Sequence, residues 1–170
     1  MPSATDILAD LFRYNAWANA KVFEACRGVE AARLEAAAPG THGSIDDTLK
    51  HMVGVEDVYL VMLQDQPIGS GGNPEDYFAH DLTWFDERSV RVGESYLALL
   101  PRLDDAQLAS SLKVPWFDFP LTKRDGLIQV LTHSGQHRAQ VLSVLGAAGI
   151  DVPSIDYVLL VQERQRPAAG

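Results

Sequence analysis

The stretch LTHSGQHRAQVLSVLGAAG, residues 131–149, decides how this chain is read. Apolar residues recur through it at steps of three and four, the period of a helix with one buried face. Gly149 stands where a helix-ending glycine belongs, and Pro153 follows at the distance expected of a stop. Upstream, Thr122 and Asp125 supply a start, so a helix is predicted from about residue 122 to Gly149. Within it, two poor helix formers, Ser134 and Gly135, lie between His133 and His137.

Sorting this helix into columns separates its faces. Asp125, Gln129, Thr132, Gln136, Gln140 and Ser143 form a polar column predicted to face solvent. His133 and His137 share the apolar face with Val130, Val141 and Val144. The small residues between the histidines read as space for a neighbouring helix, a water or a substrate.

Three more long helices are predicted. The first covers about residues 4–27, with Ile7, Leu8, Leu11, Phe12, Trp17, Val22 and Phe23 at helical spacing and Gly28 as its stop. The second is capped by Ser44, carries Asp46 and Asp47 in its first turn, and runs to about Gln64 before QPIGSGGNPED breaks it. The third spans about residues 83–103, with Pro101 fraying its last turn. KVPWFDFPLT reads as a small irregular hairpin or extended loop, and SIDYVLLVQERQ as a final short helix or strand. Four amphipathic helices argue for one all-α domain over residues 1–170, an antiparallel up-down four-helix bundle.

In the second helix, Asp46, Asp47, Lys50, Gly54 and Asp57 make the polar column. His51 shares its column with Thr48, Val55, Val58 and Met62, so three of the five histidines point inward. A lone inward histidine is usually a core residue with a hydrogen-bonded neighbour. An i,i+4 pair is different, because it places two imidazoles near enough to bind one cation. His51, His133 and His137 are therefore the candidate metal ligands, with a satisfied core cluster as the alternative. His42 and His80 lie in loop sequence and are expected in solvent, although either could close a fourth position. Glu56, five residues after His51, is rotated off the ligand column and reads as a base behind the ligands or an ordinary salt-bridge partner.

Composition excludes other classes. The chain has 170 residues, 46% hydrophobic and 22% charged, with a formal net charge of −9. That balance fits a globular domain and disfavours a surface that tracks nucleic-acid phosphates. No apolar run approaches a membrane span, and the N-terminus lacks the pattern of a signal peptide. Cys26 is the single cysteine, which fits a reducing compartment, so a cytoplasmic location is expected.

Three stretches resemble the DinB/YfiT-like family across essentially the whole chain. LFRYNAWANAKVF resembles its first-helix YNxWAN pattern at Tyr14, Asn15, Trp17, Ala18 and Asn19. SIDDTLKHMVGVEDVYL resembles the segment holding the first metal histidine, here His51. HSGQHRAQ resembles H-x3-H-R-G-Q, which places the other two ligands on His133 and His137. The chain departs at Gln136, where the family often has histidine, and at Ala139, where it usually has glycine. The resemblance implies an up-down four-helix bundle, a three-histidine divalent metal site holding zinc or nickel, and a homodimer. It does not imply DNA binding.

Relatives implied by that resemblance include thiol transferases and isomerases that use low-molecular-weight thiols, proposed hydrolases, and proteins with no known reaction. Three imidazoles leave a metal position open, as catalytic zinc requires. The favoured expectation is a metal-dependent enzyme acting on a small-molecule substrate by S-transfer or hydrolysis. The alternative is a non-catalytic metal-bound stress-response or binding module. Asn15, Asn19 and Arg138 are candidates to orient a polar substrate, with helix packing as the plainer role. Tyr14, Trp17 and Phe23 lie on more than one face of the first helix, a second reason to expect a homodimer.

Overall fold

The computed structural model describes residues 4–69 and 77–166. Four long helices, α1 (Ala4–Cys26), α3 (Ile45–Leu63), α4 (Leu82–Leu99) and α6 (Lys123–Ala147), carry the fold. Shorter helices are α2 (Ala31–Leu34), α5 (Asp105–Ala109) and α7 (Tyr157–Gln165), and a 3-10 turn at Leu100–Arg102 ends α4 where Pro101 removes a donor. The hairpin expected before α6 is minimal: β1 (Ser111–Leu112) pairs antiparallel with β2 (Leu121–Thr122). Part of the predicted break after α3, residues 70–76, lies outside the described residues. Among the described residues no helix is long and apolar enough to cross a membrane.

The two histidine-bearing helices start in the same way. Ser44 Oγ accepts from the Asp47 backbone N–H, and Asp47 Oδ2 accepts from the Ser44 N–H, a capping box at the start of α3. Thr122 and Asp125 repeat it for α6. Lys123, in the first turn of α6, donates to Leu63 O at 2.9 Å and to Asp65 Oδ2 at 2.6 Å. One lysine thus caps the end of α3 and ties it to the start of α6. At the far end of α6, Gly149 takes φ 74° and Ile150 N–H returns to Leu145 O, as a glycine stop requires.

The helices pack in a ring, α1 against α4 and α6, α3 against α4 and α6. Their buried apolar residues form two clusters. One holds Phe12, Tyr59, Leu63, Val92, Tyr96, Leu127 and Val130; the other holds Val22, Phe23, Leu49, Met52, Phe85, Val141 and Leu145. Along α1 and α6 the chain passes from the first cluster to the second, and along α3 and α4 from the second to the first. Consecutive α3 and α4 therefore run parallel, which corrects the strict up-down order expected from sequence. The physical reason is the connection between them. About 18 residues can span up to ~60 Å, ample to return along the roughly 28 Å of α3.

The aromatic residues of α1 find partners inside the chain. Phe23 is core, Tyr14 OH donates to Ile155 O at 2.9 Å, and Trp17 Nε1 donates to Glu163 Oε2 at 2.8 Å. Helix α7 thus covers the face that the sequence assigns to a second subunit.

Candidate metal centre

His51 on α3 and His133 and His137 on α6 meet on one side of the bundle. His133 Nε2 lies 3.2 Å from His51 Nε2 and 3.0 Å from His137 Nε2. The three residues can each offer one nitrogen, all within 4.8 Å of one another, so the group could hold a metal ion. Nitrogens bound to one zinc at about 2.0–2.1 Å stand roughly 3.0–3.4 Å apart, the spacing seen here.

Proton counting also favours a cation. A neutral imidazole has one N–H and one lone pair. Gln140 Nε2 donates to Gly40 O at 2.7 Å, which turns Gln140 Oε1 toward His137 Nδ1, also at 2.7 Å. Nδ1 of His137 is then the donor, and its Nε2 is a lone pair aimed at His133. His133 can donate its single proton toward only one of its two neighbours. If it does, its Nδ1 is left a bare acceptor, and that atom is buried without a partner. A cation facing the three Nε2 atoms gives their lone pairs a common partner and removes the conflict between His133 Nε2 and its two neighbours; His133 Nδ1 stays buried without a partner in either protonation state.

Burial, with nearby His42 and His137 adding to it, pushes His51 down to about 4. Burial and the surrounding histidines push His133 to about 4 as well. His137 is also lowered by burial, against the opposing effect of its hydrogen bond to Gln140. All three are therefore neutral near pH 7 and have lone pairs to give.

Behind the histidines lies a buried polar layer between the two apolar clusters. Glu56 Oε1 accepts from Asn15 Nδ2 at 2.7 Å, Asn19 Nδ2 at 3.0 Å and Ser134 Oγ at 2.6 Å. Arg138 Nη1 donates to Asn15 Oδ1 and Asn19 Oδ1, both at 2.6 Å. The two asparagines thus relay a carboxylate to a guanidinium without direct contact. Burial holds Arg138 below its ordinary value, and Glu56 pulls the other way. Ser134 and Arg138 directly follow His133 and His137, so α6 turns one column to the metal group and the next to this layer.

Several readings are corrected by these contacts. Ser134 is a hydrogen-bond donor to a buried carboxylate rather than a spacer, and a Cβ on Gly135 would meet only Arg138 Nη2, at 3.8 Å. Glu56 is no free base and no salt-bridge partner, since three side chains use its oxygens. Asn15, Asn19 and Arg138 take the plainer of the two roles expected of them, packing between helices in the interior rather than orienting a substrate. Gln140, assigned by its column to solvent, instead orients a histidine. Its signal was present in the spacing, three residues after His137 on the same helix.

His42 is exposed as expected but not isolated. Its ring stacks on His51 with centroids 3.7 Å apart and planes 18° apart. His80 stacks on Trp84 instead and takes no part in the group. Cys26 is buried, and burial pushes its thiol up to about 11, so it supplies no thiolate. Trp116 and Phe117 stay exposed, with Trp116 against Tyr59. Beside His51 opens a cavity of about 650 Å³, bordered by Thr41, His42, Asp47, Lys50 and Phe78.

A family model described as DinB family matches residues 1–166. None of the curated proteins matches the sequence.

Proposed function

This chain belongs to the DinB family, and from that premise we propose that His51, His133 and His137 bind one divalent cation, zinc or nickel, through Nε2. The observation that carries the reading is the convergence of three Nε2 atoms, one with its lone pair fixed by Gln140. Three nitrogen ligands leave a position for a small molecule, and the cavity beside His51 gives it a route.

We further propose that the protein is an enzyme of S-transfer or hydrolysis. When bound, the cation supplies charge to hold a substrate thiol as thiolate or to acidify a water. The chain's own residues orient the ligands, exclude water from behind them, and wall the cavity with His42, Lys50 and Phe78. Glu56, the acid nearest His51 along the inward side of α3, is committed to Asn15, Asn19 and Ser134 and serves as no base. A thiol or a water acidified by the cation would release its proton to solvent, so neither reaction would call on Glu56. The same commitment favours a rival reading, a metal-bound binding module without turnover.

A homodimer is part of the proposal. Ile7 and Leu11, one turn apart on α1, and Val158 on α7 are exposed apolar residues that a second copy would cover. The test of function is a conjugation assay with a low-molecular-weight thiol and an electrophile, with ester and amide hydrolysis beside it, on zinc- and nickel-loaded protein. Turnover that disappears in His137→Ala supports the enzyme. Stoichiometric metal with no turnover on any substrate supports the module.

A further inference from the structure

Residues 39–43, between α2 and α3, reach the histidine group at two places. Gly40 O accepts from Gln140 Nε2, whose other amide atom meets His137 Nδ1. His42 lies flat on His51. The loop therefore touches two of the three histidines, one through a hydrogen-bond relay and one through a ring face.

The relay has a direction. A carboxamide presents its N–H to one side and its oxygen to the other. A backbone carbonyl only accepts, so Gly40 fixes which way Gln140 faces. Gln140 in turn fixes which nitrogen of His137 carries the proton. A loop carbonyl thus decides that His137 offers Nε2 as a lone pair.

The loop is built to hold this position. Gly40 and Gly43 take φ 90° and 87°, conformations that side chains rarely adopt. Between them Thr41 Oγ1 lies 2.8 Å from both Ala38 O and Gly43 O. A Cβ at Gly43 would come within 2.8 Å of Asp47 Oδ2, so the loop packs closely on the cap of α3. Thr41 borders both the cavity beside His51 and a second cavity of about 660 Å³ along the outer face of α6. The loop is the wall between them.

We infer that Gln140 is a positioning residue that couples this loop to the histidine group. A divalent cation on the histidines orders the wall of the substrate cavity, and an ordered wall raises affinity for the cation. Reciprocity follows from linkage, because each event favours the same Gln140 orientation. The inference rests on the metal reading of His51, His133 and His137.

Two variants separate the two halves of the relay. Gln140→Glu keeps an acceptor for His137 Nδ1 and loses the donor to Gly40 O. Gln140→Leu loses both at similar size. Zinc affinity is read by competition with a chromophoric chelator, and loop order by hydrogen–deuterium exchange of peptides over residues 38–44, with and without zinc. In the wild type, zinc slows exchange in the loop. Q140L binds zinc about 10–100-fold more weakly, the usual cost of losing a ligand's orienting partner, and saturating zinc no longer protects its loop. Q140E, which keeps the His137 half of the relay and loses the loop half, binds zinc more weakly than the wild type but more tightly than Q140L, and its loop stays unprotected. Wild-type affinity in Q140L, or zinc-dependent loop protection that survives in it, overturns the coupling while leaving the metal reading intact. Failure of the wild-type chain to bind zinc overturns both.

Discussion

Ser134 Oγ donates to Glu56 Oε1 at 2.6 Å across the contact between α6 and α3. That bond accounts for the polar residue in the middle of a well-made helix. The hydroxyl serves a carboxylate that is 1% exposed, and its neighbour Gly135 is under no such demand. The two members of the dipeptide should respond oppositely. Ser134→Ala should cost about 1–3 kcal/mol, the loss of a buried bond to a charged acceptor. Gly135→Ala should stabilise by about 0.5–1 kcal/mol, because its Cβ has room and alanine favours helix. Urea unfolding of both variants decides, and equal destabilisation would restore the reading in which both residues supply space.

Removing the carboxylate is the harsher change. Glu56→Ala leaves the Arg138 guanidinium buried with no counter-charge and should cost about 3–5 kcal/mol. Chemical denaturation reads this. A loss under 1 kcal/mol would mean that Asn15 and Asn19 satisfy Arg138 unaided.

Acid should loosen the starts of both histidine-bearing helices. Asp47 is held below its ordinary value by the Ser44 backbone N–H and then the Ser44 hydroxyl; Asp125 is held down by the Thr122 hydroxyl and then its N–H. For a lowered carboxylate, the unfolded chain takes up the proton first. The contribution is therefore full above about 3.8, the ordinary value, and is lost as pH falls through the folded values. Denaturation at pH 5 and pH 3 should show a smaller pH dependence in Asp47→Asn and Asp125→Asn than in the wild type. An unchanged slope would remove the capping boxes as acid-sensitive elements.

How much of this was legible in the sequence follows from the range of each signal. Ser44 and Thr122 were readable as caps because their partners sit three residues away. His51, His133 and His137 were readable as inward-facing because helical period alone sets their columns. Gln140 was misread for the same reason: its column is polar, and only the fold brings Gly40 over it. Glu56 looked like a base behind the ligands or a salt-bridge partner because its donors come from α1 and α6, far away in the chain. Tyr14 and Trp17 suggested a second subunit because nothing local reveals that α7 returns to cover them. The parallel run of α3 and α4 depends on a long connection, which period and propensity do not orient.

Metal should add stability to a fold that exists without it. The two apolar clusters already supply a core, unlike a zinc finger. Cation at about 100 times its Kd contributes about 2.7 kcal/mol, or roughly 5–10 °C in Tm for a chain of this size. Chelation should remove that increment and leave helical circular dichroism intact at 25 °C. Wholesale loss of helicity would show that the metal is needed to fold.

Neighbouring residues on α6 should differ sharply in their effect on metal. His137→Ala should lose the cation, since two imidazoles rarely hold one in this geometry. Gln136→Ala, an exposed residue one position earlier, should retain it. Metal analysis after gel filtration reads both, and equal loss would contradict the assignment of faces.

The most direct measurement is anomalous diffraction at the metal edge, on crystals of protein purified without chelator. The account predicts one peak per chain within about 2.0–2.2 Å of Nε2 in His51, His133 and His137, with His137 Nδ1 still bonded to Gln140. A stoichiometric metal located elsewhere, or bound through Nδ1 of His137, would contradict it.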